Sequence, residues 1–156
     1  MKDTHDNNRH IWLTAYVPVF LWIGVIFFLS SSSGSMSETS LFIEPLFKFL
    51  FPTISEETLL TCHRVIRKLA HVTEYAMLGF LACRALIASR NHLLTRNWGI
   101  WAVTLVAITA GLDEFNQSFD VLRTSSPVDV ILDILGGTAA ALVVQILRNR
   151  RSKPSL

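Results

Sequence analysis

The stretch GLDEFNQSFDVLRTSSPVDVILDILGG, residues 111–137, constrains this chain more than any other. It places Asp113, Glu114, Gln117, Arg123, Asp129 and Asp133 between two segments apolar enough to be membrane spans. A charge near the centre of a bilayer costs about 2.5–3.5 kcal/mol on insertion scales. A chain with this many such groups has to pair them, hydrate them or use them. The stretch is therefore the leading candidate for a functional site, and the question becomes where its groups point.

Composition agrees with a membrane setting. The 156 residues are 51% hydrophobic and 17% charged, where soluble domains carry about 25% charged residues. That length suits one domain of about four spans, with no room for a separate soluble catalytic domain. The net charge of +2 gives no footprint for nucleic acid. The two cysteines, Cys62 and Cys83, are too far apart on one helix to bridge, and neither a C-x-x-C pattern nor a zinc spacing is present.

Residues 1–10 read as a short polar tail. Residues 11–29 are free of charge and long enough to span about 28 Å, with Pro18 expected to kink the helix. The following SSSSGSMSETS is loop by composition. LFIEPLFKFLFP, at 41–52, is too short to span and predicts a re-entrant or interfacial segment. Ser55, followed by Glu56 and Glu57, marks a helix start. The helix it opens is polar in its first half and apolar from Ala76 to Ala88. Arg64, Lys68, His71 and Tyr75 share one stripe, and Arg67, His71 and Glu74 an adjacent one. Residues 91–97 read as a basic loop. Residues 98–112 form the third apolar run, with Trp98 and Trp101 as interface anchors; it reaches full span length only through Asp113 and Glu114. Residues 128–147 form the fourth, where Gly136, Gly137, Ala139, Ala140 and Ala141 allow close helix contact.

Arg90, Arg96 and the C-terminal Arg148, Arg150, Arg151 and Lys153 fall on one side of a four-span arrangement. The 30–64 connection on the other side is net acidic. The positive-inside rule then places both termini and the 89–97 loop in the cytoplasm. Arg67, Lys68, His71, Glu74, Asp113, Glu114, Gln117, Arg123, Asp129 and Asp133 converge on one pocket at the outer face. Three readings of that pocket stay open. His71 or a carboxylate acts as general base on a lipid-linked or wall-precursor substrate, with Arg123 gripping its phosphate. Alternatively the cations hold an anionic headgroup without turnover. In the third, the charges are an internal ion-pair network that fixes helix register.

Single residues carry less. One histidine among carboxylates makes a weak zinc site, and Asp113, Glu114, Asp129 and Asp133 leave a divalent cation as a secondary possibility; no resident cofactor is expected. Glu74 is spaced to pair with Arg67. Tyr75 fits an interface residue better than a proton donor. Ser30–Ser33 lack any nucleophile-elbow context.

Lys68-x-x-His71-x-x-x-Tyr75, then Asp113-Glu114-x-x-Gln117, then Arg123, Ser126 and Asp129, then Gly136 together resemble the VanZ-like family of small bacterial membrane proteins. That family is named for its association with resistance to the glycopeptide teicoplanin. The resemblance covers residues 11–147. The chain departs from the family's pattern at Val121-Leu122, where Pro-Gly often precedes the arginine, and at Asp133, where Asn often stands. The resemblance implies an all-α, four-helix transmembrane bundle of the cell envelope, in the bacterial inner (plasma) membrane, between tails at 1–10 and 148–156. It supplies no reaction and leaves the oligomeric state open. The site expected from residues and resemblance together has His71, Glu74, Asp113, Glu114 and Asp129 at its chemical centre. Lys68, Tyr75, Gln117, Arg123, Ser126 and Asp133 contact the ligand, a membrane lipid or a lipid-linked wall precursor.

Overall fold

The computed structural model describes residues 12–31, 44–119 and 126–151, and every regular element among them is helical. A π-helical turn, Trp12–Tyr16, leads into α1, Val17–Leu29. Pro18 stands in the first turn of α1, where its missing N–H costs nothing, so it starts the α-helical part instead of kinking the span. Two long-range bonds hold this region on α3 (Glu56–Ile87). The Trp22 indole N–H donates to the Glu74 carbonyl at 2.9 Å, and the Arg84 guanidinium donates to the Thr14 carbonyl at 2.5 Å.

Residues 44–50 form a short helix, α2. Lys48 bonds Glu44 at 2.7 Å and reaches Glu56 at 3.3 Å, which ties α2 to the first turn of α3. The Lys48 ammonium holds the Glu44 carboxyl below the usual carboxylate range. Leu46, Phe49, Leu50 and Phe51 are all exposed. The α3 helix starts where its sequence signal lies, the Ser55 hydroxyl accepting from the Thr58 N–H at 3.2 Å.

Residues 91–97 are not a plain loop. They hold a short helix, α4 (His92–Arg96), capped by the Asn91 side chain on the Leu93 N–H at 2.9 Å. The Thr95 hydroxyl lies within bonding distance of the Ser89 and Asn91 carbonyls, which closes the turn. The apolar run after it forms α5, Trp98–Gln117, and the helix runs past Leu112 through Asp113 and Glu114 to the glutamine. The last helix, α6 (Pro127–Arg151), starts one residue before the expected run and continues into the basic C-terminal segment.

Packing centres on α3, α5 and α6, and glycines set how closely they approach. A Cβ on Gly79 would lie 2.7 Å from the Gly137 carbonyl oxygen, and one on Gly136 would lie 2.5 Å from that of Val72. A Cβ on Gly137 would lie 2.7 Å from the Val106 methyls. The α3 and α6 backbones therefore meet at one crossing that no larger residue permits, with the Val106 side chain of α5 packed onto it. Of the neighbouring small residues Ala141 is buried and Ala139 exposed. Trp98, expected in an interface belt, is instead buried at the other end of this packing with the Arg148 guanidinium 5.7 Å from its ring; Trp101 is half exposed.

The outside of the molecule is apolar. Phe28 is 65% exposed, Ile100 69% and Leu142 59%, while Asp113 and Asp133 are 2% and 4% exposed. α5 and α6 are long and apolar enough to cross a membrane, and most of each helix's most apolar window faces outward. Leu13–Leu29, the charge-free run expected to be the clearest span, is a shorter apolar helix of about 26 Å.

Candidate functional site

The polar residues of α3, α5 and α6 form a buried floor and a more open rim. The floor is built on Tyr75, which has no exposed surface. Its hydroxyl donates to Asp113 Oδ2 at 3.2 Å, so the residue read as an interface tyrosine is a buried donor. Gln117, one turn after Asp113 on α5, also donates to Asp113 Oδ2, at 3.1 Å. Its amide reaches the Ser30 hydroxyl at 2.7 Å, and its Oε1 accepts from Arg67 at 3.3 Å. One glutamine thus links the end of α1, the middle of α3 and the end of α5.

Asp133 enters the floor from α6. Its Oδ2 lies 3.9 Å from His71 Nδ1 on α3. It is within electrostatic reach of Asp113, Asp129 and Glu114, so the carboxylates of two helices converge. Asp113 Oδ1 and Asp133 Oδ1 are both buried with no hydrogen-bond partner among the described residues. Native interiors leave few such atoms.

The rim holds the more exposed members. Lys68 pairs with Asp129 at 2.5 Å across α3 and α6, with half of the lysine side chain open. Glu114 accepts from the backbone N–H of Ser126, which fixes the approach to α6. The Ser126 carbonyl accepts from the Asp129 N–H at 2.8 Å, in the first turn of that helix. Glu74 lies on the same side of α3, within electrostatic reach of Asp113. It forms no ion pair with Arg67, whose guanidinium goes to Gln117 instead. Arg123 lies outside the described residues.

The expected residues therefore come together in two layers: Tyr75, Asp113, Gln117 and Asp133 below, Lys68, Glu114, Ser126 and Asp129 above. Sequence reasoning missed Ser30. Its one signal was position, as the first hydroxyl after a charge-free run. Among the described residues no group of three or more His, Cys, Asp and Glu side chains is placed to hold a metal ion. Cys62 and Cys83, both on α3, are free thiols.

Neither a curated protein nor a solved structure matches the chain. The VanZ/LLP1 family model matches residues 15–148, which takes in the whole of α1, α3 and α5, all but the last three residues of α6, and the site between them. With most of its length and every described residue of the site inside that match, the chain belongs to the VanZ/LLP1 family.

Proposed function

We propose that the protein is a four-span bundle of the bacterial inner membrane whose polar site binds an anionic envelope component, a lipid headgroup or a wall precursor. In this reading α1, α3, α5 and α6 cross the bilayer, α2 lies at its surface, and residues 11–147 form one membrane domain between tails at 1–10 and 148–156. Both termini are cytoplasmic, because the basic residues of 84–96 and 148–153 share one end of the bundle. The polar site then opens at the outer face, as envelope chemistry requires. The family's association with teicoplanin resistance fits a role at that face.

The observation that carries the binding role is the pair of unpartnered oxygens, Asp113 Oδ1 and Asp133 Oδ1. A network kept only to fix helix register has no use for them, since an orphaned buried polar group costs about 1–3 kcal/mol. A ligand with hydroxyl or ammonium donors next to its anionic group satisfies both oxygens. Its anion is taken by Lys68, which already shares its charge with the partly exposed Asp129, and by Arg123. The catalytic version of this reading gives His71 the role of general base, with Asp133 beside its Nδ1.

One set of contacts favours the alternative, an interhelical network with no ligand. Lys68–Asp129 and Arg67–Gln117 already join α3 to its neighbours. Native mass spectrometry of the gently purified protein separates the two. The binding reading predicts a discrete retained lipid or precursor in wild type that is lost in Arg123→Ala and Lys68→Ala. If nothing is retained and both variants only melt earlier, the network reading replaces it.

A further inference from the structure

At the end of the bundle away from the polar site, a groove of about 590 Å³ opens between α5 and α6. Trp98 and Asp113 stand about 22 Å apart along α5, so the two features are separate. The head of the groove is polar, with Arg96, Asn97 and Gln145 lining it. Its walls are apolar and include Ile100 and Leu142, which are 69% and 59% exposed. No lining residue is acidic.

The surrounding chain sharpens that charge. No Asp or Glu occurs at 75–112 or at 134–156, whereas Arg90, Arg96, Arg148, Arg150, Arg151 and Lys153 do. A second groove, of about 320 Å³, lies between α1, α3 and α5 and includes Phe20, Ile23 and Leu105 in its lining. No charged residue lines it, so it can receive a hydrocarbon chain but recognise no headgroup. Of these two grooves, the α5–α6 groove is the one that joins an apolar trough to a cation.

We infer that the α5–α6 groove binds an anionic phospholipid of the leaflet at the basic end. One acyl chain lies along Ile100 and Leu142, and the phosphate meets Arg96, with Asn97 and Gln145 as further donors. This rests on the membrane reading of the fold but not on any ligand at the polar site. Cation–phosphate attraction at a bilayer surface supplies selectivity over a zwitterionic lipid, and the trough supplies position.

Gly99 provides a clean way to close the groove. It lines the trough, and a Cβ built there meets nothing within 4 Å. A leucine at this position therefore fills the space without disturbing the helix packing, and improves helix propensity.

The test uses full-length protein reconstituted in vesicles of equal parts phosphatidylglycerol and phosphatidylcholine. It is then extracted gently and its retained phospholipid quantified. Wild type is expected to retain phosphatidylglycerol about fivefold over phosphatidylcholine, the factor one surface cation supplies. Arg96→Gln is expected to bring that ratio near one, and Gly99→Leu to lower retention of both lipids. Lys48→Gln, a cation outside both the groove and the polar site, is expected to leave the ratio unchanged. Equal retention of the two lipids by wild type overturns the proposal, and so does a ratio unmoved by Arg96→Gln or a total retention unmoved by Gly99→Leu. A groove occupied by a second copy, seen as a doubled mass without lipid, overturns it too. Protein that reconstitutes fully yet shows no preference counts against the groove and leaves the membrane reading standing.

Discussion

The two ends of the α5–α6 pair are built on opposite principles. At one end Asp113 and Asp133 are buried, Asp113 accepts from α3 and α5, and each keeps one oxygen with no partner among the described residues. At the other, Arg96, Arg148, Arg150 and Arg151 are exposed, and no carboxylate occurs in the adjoining stretches of chain. The glycine crossing of Gly79, Gly136 and Gly137 lies between them. The contrast shows what each kind of charge is for. Exposed arginines at a helix end cost the fold little, and in the proposed reading they set orientation and lipid contact. Buried aspartates cost the fold a great deal, so their presence asks for a function.

The largest effect is expected at the crossing that separates the ends. Gly136→Val drives its side chain into the Val72 backbone carbonyl, which cannot yield as a flexible side chain would. Overpacking costs about 1–3 kcal/mol in ordinary cores, and this site is expected at or above the top of that range. Thermal melting in detergent should show the two halves of the comparison lost together. Survival of the fold with an unchanged melting point would mean that the helices do not meet here.

A smaller effect, confined to the acidic end, is expected from Gln117→Leu. It takes one partner each from the Ser30 hydroxyl, the Arg67 guanidinium and Asp113 Oδ2. Each group left unpartnered costs about 1–3 kcal/mol, less where water or a neighbour compensates. Protease sensitivity should rise between α1 and α3, where Gln117 makes its longest-range bond. The smallest effect is expected at the basic end. Arg148→Ala removes a cation from the Trp98 ring, a contact worth about 0.5–1 kcal/mol at an exposed site. A shift as large as that of Gln117→Leu would erase the distinction between the ends.

The same contrast explains what the sequence makes legible. Helix α3 declares itself through Ser55 and its acidic first turn, because capping is a local interaction. The i, i+4 pair of Asp113 and Gln117 predicts a shared face, and the two side chains bond. Small residues at 136 and 137 predict close approach, and the backbones meet there. Tertiary partners are another matter. Tyr75 looks amphipathic in isolation, and only the arrival of Asp113, 38 positions later, makes it a buried donor. Ser30 gains its role from Gln117, 87 positions away, and no local pattern encodes that. Trp98 reads as a belt residue until the far end of α6 brings Arg148 over its ring. The α4 turn is hidden for a different reason, since five residues held by Asn91 and Thr95 side chains leave no periodicity to read.

The central claim is that the buried aspartates are kept for a ligand and not for the fold. Melting Asp113→Asn next to wild type, in the same detergent and without added ligand, tests it most directly. The amide keeps the shape of the carboxyl and can still accept from Tyr75 and Gln117. The account predicts a melting temperature equal to or above that of wild type. A drop equivalent to the roughly 3–5 kcal/mol lost when a buried pair is broken would contradict it, and would assign the charges to the bundle itself.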